Sequence, residues 1–290
     1  MGYGSIPDEP EFGAGSDAPA RVTPLSERQG HRVASITSGV AANAHVEYLL
    51  RLADDRLILG QRLSEWCGHA PILEEDIALA NIALDLIGQS SLLLEHAGAL
   101  EGAERSNDAL AFLRDETAFR NAQLVELPNG DFAVTIVRLF LYSALQLPLL
   151  EALERSSDAT LAGIAAKARK ECTYHLRHGA DWMLKLGDGT AESHARAQAA
   201  LDYLWPYAHE LTWGDAVDDA MTAEGIATDV RTLNAPWRLT VERVVHAATL
   251  TIPADGWKAN GGRVGKHTEH LGHLLAEMQV LPRSHPGATW

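Results

Sequence analysis

Residues 70–98, with the sequence APILEEDIALANIALDLIGQSSLLLEHAG, predict a single long helix that is almost entirely apolar. Such a helix is expected to lie inside a helical assembly, because it has few polar positions to offer to solvent. Asn81, Asp85 and Gln89 nevertheless recur at every fourth position, which places them on one face. A buried polar group without a partner costs about 1–3 kcal/mol, so these side chains need partners or a ligand. The segment therefore predicts a helical bundle with polar contacts in its interior.

The helical period continues on both sides of this segment, and turn or cap residues separate the helices. Four long helices are predicted, from Asn43 to about Cys67, from Pro71 to Gly98, from Asp131 to Leu153, and from the Ser156-Ser157-Asp158 cap to Gly187. Shorter helices are predicted at about Glu192 to Thr212, Asp215 to Ala223, Trp237 to Leu250 and Lys266 to Leu281. No strand signal is strong enough to add a sheet. The expected fold class is all-α, a four-helix bundle with additional C-terminal helices.

The composition limits the expected partners and compartment. The chain has 290 residues and a formal net charge of −15, which argues against nucleic acid and anionic membranes because both need a basic surface. No apolar run reaches the ~20 uncharged residues of a membrane span, and the N-terminus lacks the pattern of a signal peptide. Cys67 and Cys172 are isolated thiols, which suits a reducing cytoplasm.

The first forty residues differ in composition from the rest of the chain. Residues 1–40 are rich in glycine, proline, serine and acidic residues and show no sustained period, so we expect a disordered N-terminal extension. Residues 41–284 are expected to form one helical domain, because nothing within them resembles a linker or a repeat. Residues 285–290 are expected to be a short C-terminal tail.

Polar residues on the four long helices can be assembled into one interior stripe, which we call the polar seam. Its predicted members are Asp54, Gln61 and Glu65 on the first helix, Asn81, Asp85 and Gln89 on the second, Thr135, Arg138, Tyr142 and Gln146 on the third, and Glu171, His175 and His178 on the fourth. One interpretation is a metal site, since Asp85, Glu171 and His175 are competent ligands. The other is an ion-pair and hydrogen-bond network in which Arg138 supplies the positive charge.

The sequence lacks the ligands of a di-iron site, and this favours the ion-pair and hydrogen-bond network. A helical bundle that holds two iron ions uses a Glu-x-x-His pair from each of two helices and a glutamate from each of the other two. No histidine in this chain has an acidic residue three positions before it. No catalytic residue, bound cofactor or metal is therefore expected, and the degenerate set comprises Asp54, Glu65, Asp85, Gln89, Arg138, Glu171 and His175. A zinc site at His267, His270 and His273 is a weaker alternative, because it lacks a fourth ligand.

Four blocks of sequence carry a resemblance to a known family. They are LGQRLSEWCGHAPILEEDIALANIALDLIGQ (59–89), ELPNGDFAVTIVR (126–138), KECTYHLRHGADWMLKLGDGT (170–190) and GKHTEHLGHLLAEMQ (265–279). They closely resemble the C subunits of bacterial phenylacetyl-CoA epoxidases, over about residues 46–281. The resemblance implies a ferritin-like bundle that works in cytoplasmic phenylacetate catabolism, and residues 1–40 depart from the family pattern.

The resemblance also implies how the work is divided in the complex. In that family a related A subunit holds the di-iron centre and the substrate, and a separate reductase carries flavin and an iron–sulfur centre and takes electrons from NADPH. The present chain is then expected to be a structural partner of the A subunit, without activity of its own. Two alternatives stay open at this point, an autonomous di-metal oxidase and a module of the same complex that binds the CoA moiety.

Overall fold

A computed structural model describes residues 44–288, and this part of the chain contains α-helices and short 3₁₀ segments but no strand. The helices are α1 (Ala44–Ser64), α2 (Leu73–Glu101), α3 (Asn107–Phe112), α4 (Gln123–Glu126), α5 (Phe132–Leu153), α6 (Ala159–Gly187), α7 (Ala191–Ala208), α8 (Ala216–Ala223), α9 (Asn234–Ala247) and α10 (Glu269–Ser284). The 3₁₀ segments are Glu116–Ala118, His209–Thr212, Val230–Leu233 and Gly262–Val264. The prediction of an all-α chain is confirmed.

The four long helices form the bundle that the sequence predicts. Helix α1 packs along α2, helix α5 packs along α6, and the two pairs meet through α2 and α6. Short links make each pair antiparallel, and residues 102–131 form the one long connection between the pairs, as in ferritin-like bundles. Helices α7 and α9 pack on α5 and α6, while α8 packs on α1.

Local signals account for several of the helix starts. The Asp131 side chain accepts a hydrogen bond from Val134 N, and α5 begins directly after it. The Asp158 side chain caps α6 in the same way. The prediction that Pro71 opens α2 is wrong, because the N-cap is Ile72 and the helix begins at Leu73.

Helix α5 lies at the centre of the core. Most of its residues are buried, although Pro148 stands inside the helix. Gly179 lets α6 approach α5 closely, since a Cβ atom there would lie 3.1 Å from Phe140 Cα. On the outer side of α5, Trp237 of α9 donates its indole N–H to Leu141 O at 3.1 Å. The bundle and the added helices therefore share one core.

Within residues 44–288, helices α2 and α5 are long and apolar enough to cross a membrane by length and composition alone. For α5, 83% of the most apolar stretch is buried inside the protein, as expected of a core helix, whereas for α2 the figure is only 44%. More than half of the most apolar stretch of α2 is thus not buried by the described residues. The absence of a membrane partner stays a prediction.

The predicted extension over residues 1–40 lies outside the described residues, as does Asn43, where the first helix is predicted to begin. The assignment of residues 41–284 to a single domain and of 285–290 to a tail also stays a prediction. Two short helices, α3 and α4, were not predicted from the sequence. They lie in the long connection, where the apolar period is too short to be recognised.

Candidate functional site

The centre of the bundle is occupied by the guanidinium group of Arg56, a residue of α1 that the predicted seam does not include. Its Nε donates to Gln89 Oε1 at 2.9 Å, and its Nη2 donates to Gln146 Oε1 at 2.8 Å. Its Nη1 donates to the carbonyl of Leu52 at 2.7 Å. The amide of Gln89 in turn donates to Glu171 Oε2 at 2.8 Å. We call Arg56, Gln89, Gln146 and Glu171 the Arg56 network.

This network joins α1, α2, α5 and α6 through one buried charge. Three of its members, Gln89, Gln146 and Glu171, were predicted in the seam, and the structure brings them together. The prediction that Arg138 supplies the positive charge is wrong. Arg138 donates to Leu127 O and to Asn129 Oδ1, so it holds the start of α5 against the preceding loop. Burial, reinforced by the nearby Arg62, lowers the pKa of the Arg138 guanidinium.

Asp54 and Glu65 also lie away from the network. The wholly buried Asp54 accepts hydrogen bonds from both terminal nitrogens of Arg114, which is wholly buried as well, and from Arg120 N. Glu65 accepts from Arg62 at 2.8 Å and from Asn129 at 2.9 Å, at the half-exposed end of α1. Their placement in the seam is therefore wrong, because side chains on one helix can turn toward different neighbours.

The histidines of α6 face the rim between α2 and α6. His175 Nε2 lies 3.0 Å from Asp85 Oδ2, and His178 Nε2 lies 3.1 Å from Glu75 Oε2. Burial lowers the pKa of His178, and the opposing charge of Glu75 only partly offsets this. Asp85 and His175 therefore form a pair separate from the Arg56 network.

Asn81 is exposed, whereas Gln89 is buried in the network. Positions four apart on a helix differ by about 40° around the axis, so the stripe Asn81, Asp85, Gln89 passes from the surface into the core. The expectation that all three side chains face the interior is wrong for Asn81.

The remaining seam residues lie at separate places. Thr135 Oγ1 accepts from Trp66 Nε1 at 3.0 Å beside the Arg138 contacts. Tyr142 is buried within α5, and burial raises the pKa of its hydroxyl. Gln61 is half-buried near the end of α1. The seam is therefore several local clusters rather than one continuous stripe.

The residues at the bundle centre do not fit a pair of iron ions. Such a pair needs several carboxylates to balance its charge, together with histidine nitrogens. The Arg56 network instead provides a guanidinium, two amides and one carboxylate. The guanidinium charge would repel a divalent cation at the same place.

The sequence did carry a signal for Arg56 that the prediction missed. Asp54, Asp55 and Arg56 are three consecutive charged residues in a helix that is buried on all sides in this region. Successive residues point about 100° apart, so the three side chains face three different neighbours. Asp55 faces Arg263, and each of its carboxylate oxygens accepts a hydrogen bond from the Arg263 guanidinium at 2.8 Å.

The alternative zinc site at His267, His270 and His273 is not assembled. His267 is wholly buried, with its Nδ1 at 2.8 Å from Glu126 Oε2 and its Nε2 at 3.1 Å from Phe119 O. Burial alone would lower the pKa of His267, but the Glu126 contact outweighs it and the pKa is raised. His267 therefore fixes the segment before α10 to α4.

A second feature of the bundle is an apolar surface on α2. Leu73, Ile77, Leu84 and Leu92 are all exposed, and their spacing places them on one side of the helix. We call these four residues the α2 apolar face. Leu84 is 67% exposed in the middle of the helix. Four exposed apolar side chains on one side of a helix exceed the isolated ones common on protein surfaces, and such surface typically marks a site of protein association.

Comparison with known proteins agrees with this architecture. Residues 34–290 match the family model described as phenylacetic acid catabolic protein. The chain is also 49% identical over 248 residues to the C subunit of the 1,2-phenylacetyl-CoA epoxidase of Escherichia coli (strain K12). The aligned region covers 86% of this chain and 100% of that relative. The family match extends over the whole described region, including the Arg56 network and the α2 apolar face. The chain therefore belongs to the phenylacetic acid catabolic protein family and has its ferritin-like helical fold.

Proposed function

We propose that this chain is the non-catalytic structural subunit of a phenylacetyl-CoA 1,2-epoxidase complex and that its α2 apolar face binds the catalytic A subunit. The observation that carries the proposal is the pairing of an uncovered apolar helix with a bundle centre filled by Arg56. The similarity to a protein that is named as one subunit of an epoxidase supports membership of a multisubunit enzyme. The occupant of the α2 apolar face would be a bundle helix of the A subunit.

In this proposal the chemistry takes place in the partner. The A subunit would hold the di-iron centre and phenylacetyl-CoA, and a flavin and iron–sulfur reductase would supply electrons from NADPH in the cytoplasm. One atom of O₂ enters the aromatic ring as the epoxide, and the other leaves as water. The present chain would stabilise the helices that carry the A-subunit ligands, since metal geometry depends on the residues that support the ligands.

Neither alternative gains support from the contacts. An autonomous di-metal oxidase would need ligands where the Arg56 network lies. A module that binds CoA phosphates would need free cationic groups, but Arg263 is paired with Asp55 and Arg169 is paired with Glu154. Lys185 lies over the ring of Trp182, 4.5 Å from its centroid. We therefore retain the structural role as the proposal.

Replacing Leu84 by arginine tests the proposed interface. We expect Leu84→Arg to weaken binding to the A subunit by at least about a hundredfold, equivalent to about 2.7 kcal/mol, because a charge would be buried without a partner. Epoxidation by the reconstituted complex should fall in parallel, while the thermal unfolding midpoint of the free chain changes little. Binding is measured by calorimetry and activity by consumption of phenylacetyl-CoA.

Leu239 provides the matched control for this experiment. It lies on α9 and is 70% exposed, so Leu239→Arg introduces the same charge at an equally open position on a different surface. The control should bind and support activity like the unaltered chain. Unchanged binding by Leu84→Arg, or equal losses in both variants, would contradict the assignment of the interface.

The absence of a catalytic role is tested by a double substitution in the residues best suited to bind metal or transfer protons. Glu171→Gln keeps the side-chain size and His175→Asn keeps some hydrogen bonding, while the two changes remove charge and metal affinity. We expect the reconstituted complex to retain epoxidation within a few-fold. A loss above about a hundredfold, with the complex intact and the A-subunit iron occupied, would show that this chain takes part in the chemistry.

A further inference from the structure

Two histidines and one aspartate converge at one end of the bundle, away from the Arg56 network. His45 lies in the first turn of α1, His96 lies near the end of α2, and Asp158 caps α6. Asp158 Oδ2 is 3.0 Å from His45 Nε2 and 2.5 Å from His96 Nε2. One ligand-type atom from each residue lies within 4.8 Å of the other two. Three helices thus present three potential metal ligands to one point.

The carboxylate is oriented for this role by the helix that it caps. Asp158 Oδ1 accepts hydrogen bonds from Thr160 N at 2.9 Å and Leu161 N at 3.1 Å, which leaves Oδ2 to face the imidazoles. The α6 backbone therefore holds Oδ1, and Oδ2 is the oxygen that faces both histidines.

The two imidazole rings approach from perpendicular directions. The ring centroids of His45 and His96 lie 6.0 Å apart, and the ring planes cross at 85°. The side chains of the two histidines and of Asp158 are 17%, 13% and 9% exposed, so the site is mostly shielded but reachable from solvent. Neither histidine belongs to the seam or to the α2 apolar face.

We propose that His45, His96 and Asp158 form a zinc site, with Zn²⁺ bound by the two Nε2 atoms and Oδ2 and with water in the fourth position. Two histidine nitrogens and one carboxylate oxygen form a ligand set that zinc uses in open tetrahedral sites. Tetrahedral ligands at bond lengths of about 2.0–2.1 Å lie about 3.3 Å apart. Asp158 Oδ2 is 3.0 Å from His45 Nε2 and 2.5 Å from His96 Nε2, so both histidines must move outward to admit the ion. The bound ion would take the place of the hydrogen bond between His96 Nε2 and Asp158 Oδ2.

This proposal departs from the expectation that the chain holds no metal, although it leaves the bundle centre as described. The site has no place in the proposed epoxidation. Its position between three helices gives it a stabilising role, although the water in the fourth position leaves the zinc open. A metal bound by His45, His96 and Asp158 would cross-link the first helix pair, α1 and α2, to the start of α6 in the second pair. Its binding would stabilise the folded chain, because the three ligands are brought together only by folding.

The proposal is tested on the full chain purified without a histidine tag and stripped with a chelator. Titration with Zn²⁺ should give one tight equivalent per chain, and the thermal unfolding midpoint should rise with zinc concentration. X-ray absorption of the zinc-loaded chain should show two imidazole ligands and light oxygen ligands, which decides the question without any variant. A chain that stays folded but binds no stoichiometric zinc, or a spectrum without imidazole, overturns the proposal.

Three substitutions then identify the ligands. His45→Gln and His96→Gln should each weaken zinc binding by more than about a hundredfold, since even residues that only support a ligand cost ten- to a hundredfold. Asp158→Asn should do the same while its side-chain oxygen still caps α6. His178→Gln is the control, because His178 also pairs with a carboxylate but lies outside the cluster. Equal zinc affinity in the three folded variants and the control would contradict the site.

Discussion

Replacing Arg114 by methionine is expected to lower the free energy of unfolding by ~3–5 kcal/mol. The reason is that Asp54, which is wholly buried, would lose both guanidinium hydrogen bonds and keep only the backbone N–H of Arg120. Removing one partner of a buried ion pair leaves a charge in a medium of low polarity, which costs far more than the pair itself contributes. Urea denaturation of the free chain measures the effect.

Two further variants separate this effect from a general loss of packing. The double variant Arg114→Met with Asp54→Leu removes both charges and should regain most of the lost stability. Arg196→Met removes an arginine whose side chain is 57% exposed and which pairs with Glu192 and Asp131 on the surface, so it should change the free energy of unfolding only slightly. If Arg114→Met were no more harmful than Arg196→Met, the buried pair would not stabilise the fold as described.

Replacing Arg56 by methionine is the second large expected effect, with a loss of roughly 2–5 kcal/mol. The substitution fills much of the same volume but leaves the amide oxygens of Gln89 and Gln146 without a donor in the core. Each buried acceptor that loses its only partner costs about 1–3 kcal/mol. Chemical denaturation again provides the measurement.

A double-mutant cycle with Gln89→Leu shows whether Arg56 acts through the network. We expect a coupling energy of about 0.5–3 kcal/mol between Arg56→Met and Gln89→Leu, because the two side chains share a hydrogen bond of 2.9 Å. The same cycle with Arg138→Met should be additive, since Arg138 contacts the loop at Leu127 and Asn129 instead. Coupling of Gln89 to Arg138 and not to Arg56 would contradict the network.

Sequence and structure agree where the information is local. Asp131 and Asp158 predicted the beginnings of α5 and α6 correctly, because a helix cap depends on residues within one turn. The partner of a buried charge depends instead on how helices are rotated against one another. Arg56 and Arg138 both stand on buried helices. The run of charges at 54–56 indicates that Arg56 needs a buried partner, but not that this partner is Gln89.

The sequence alone also does not show which side of an apolar helix is buried and which is exposed. Helix α2 was predicted to lie inside the assembly because nearly all of its residues are apolar, yet Leu84 is on its exposed side. A helix that is apolar on all sides satisfies the criteria for a core helix and for an interface helix equally well. Likewise, the sequence identified Asp158 as a cap but could not show that its second oxygen faces His45 and His96.

The three consecutive charges of α1 have a consequence for the order in which the chain can fold during synthesis. Asp54 needs Arg114 from the long connection, Arg56 needs glutamines of α2 and α5, and Asp55 needs Arg263, which is made near the end of the chain. A nascent chain that lacks Arg263 would hold Asp55 without its cation if α1 were already buried. The first helix of the bundle to emerge from the ribosome therefore reaches its final environment only after synthesis has passed Arg263.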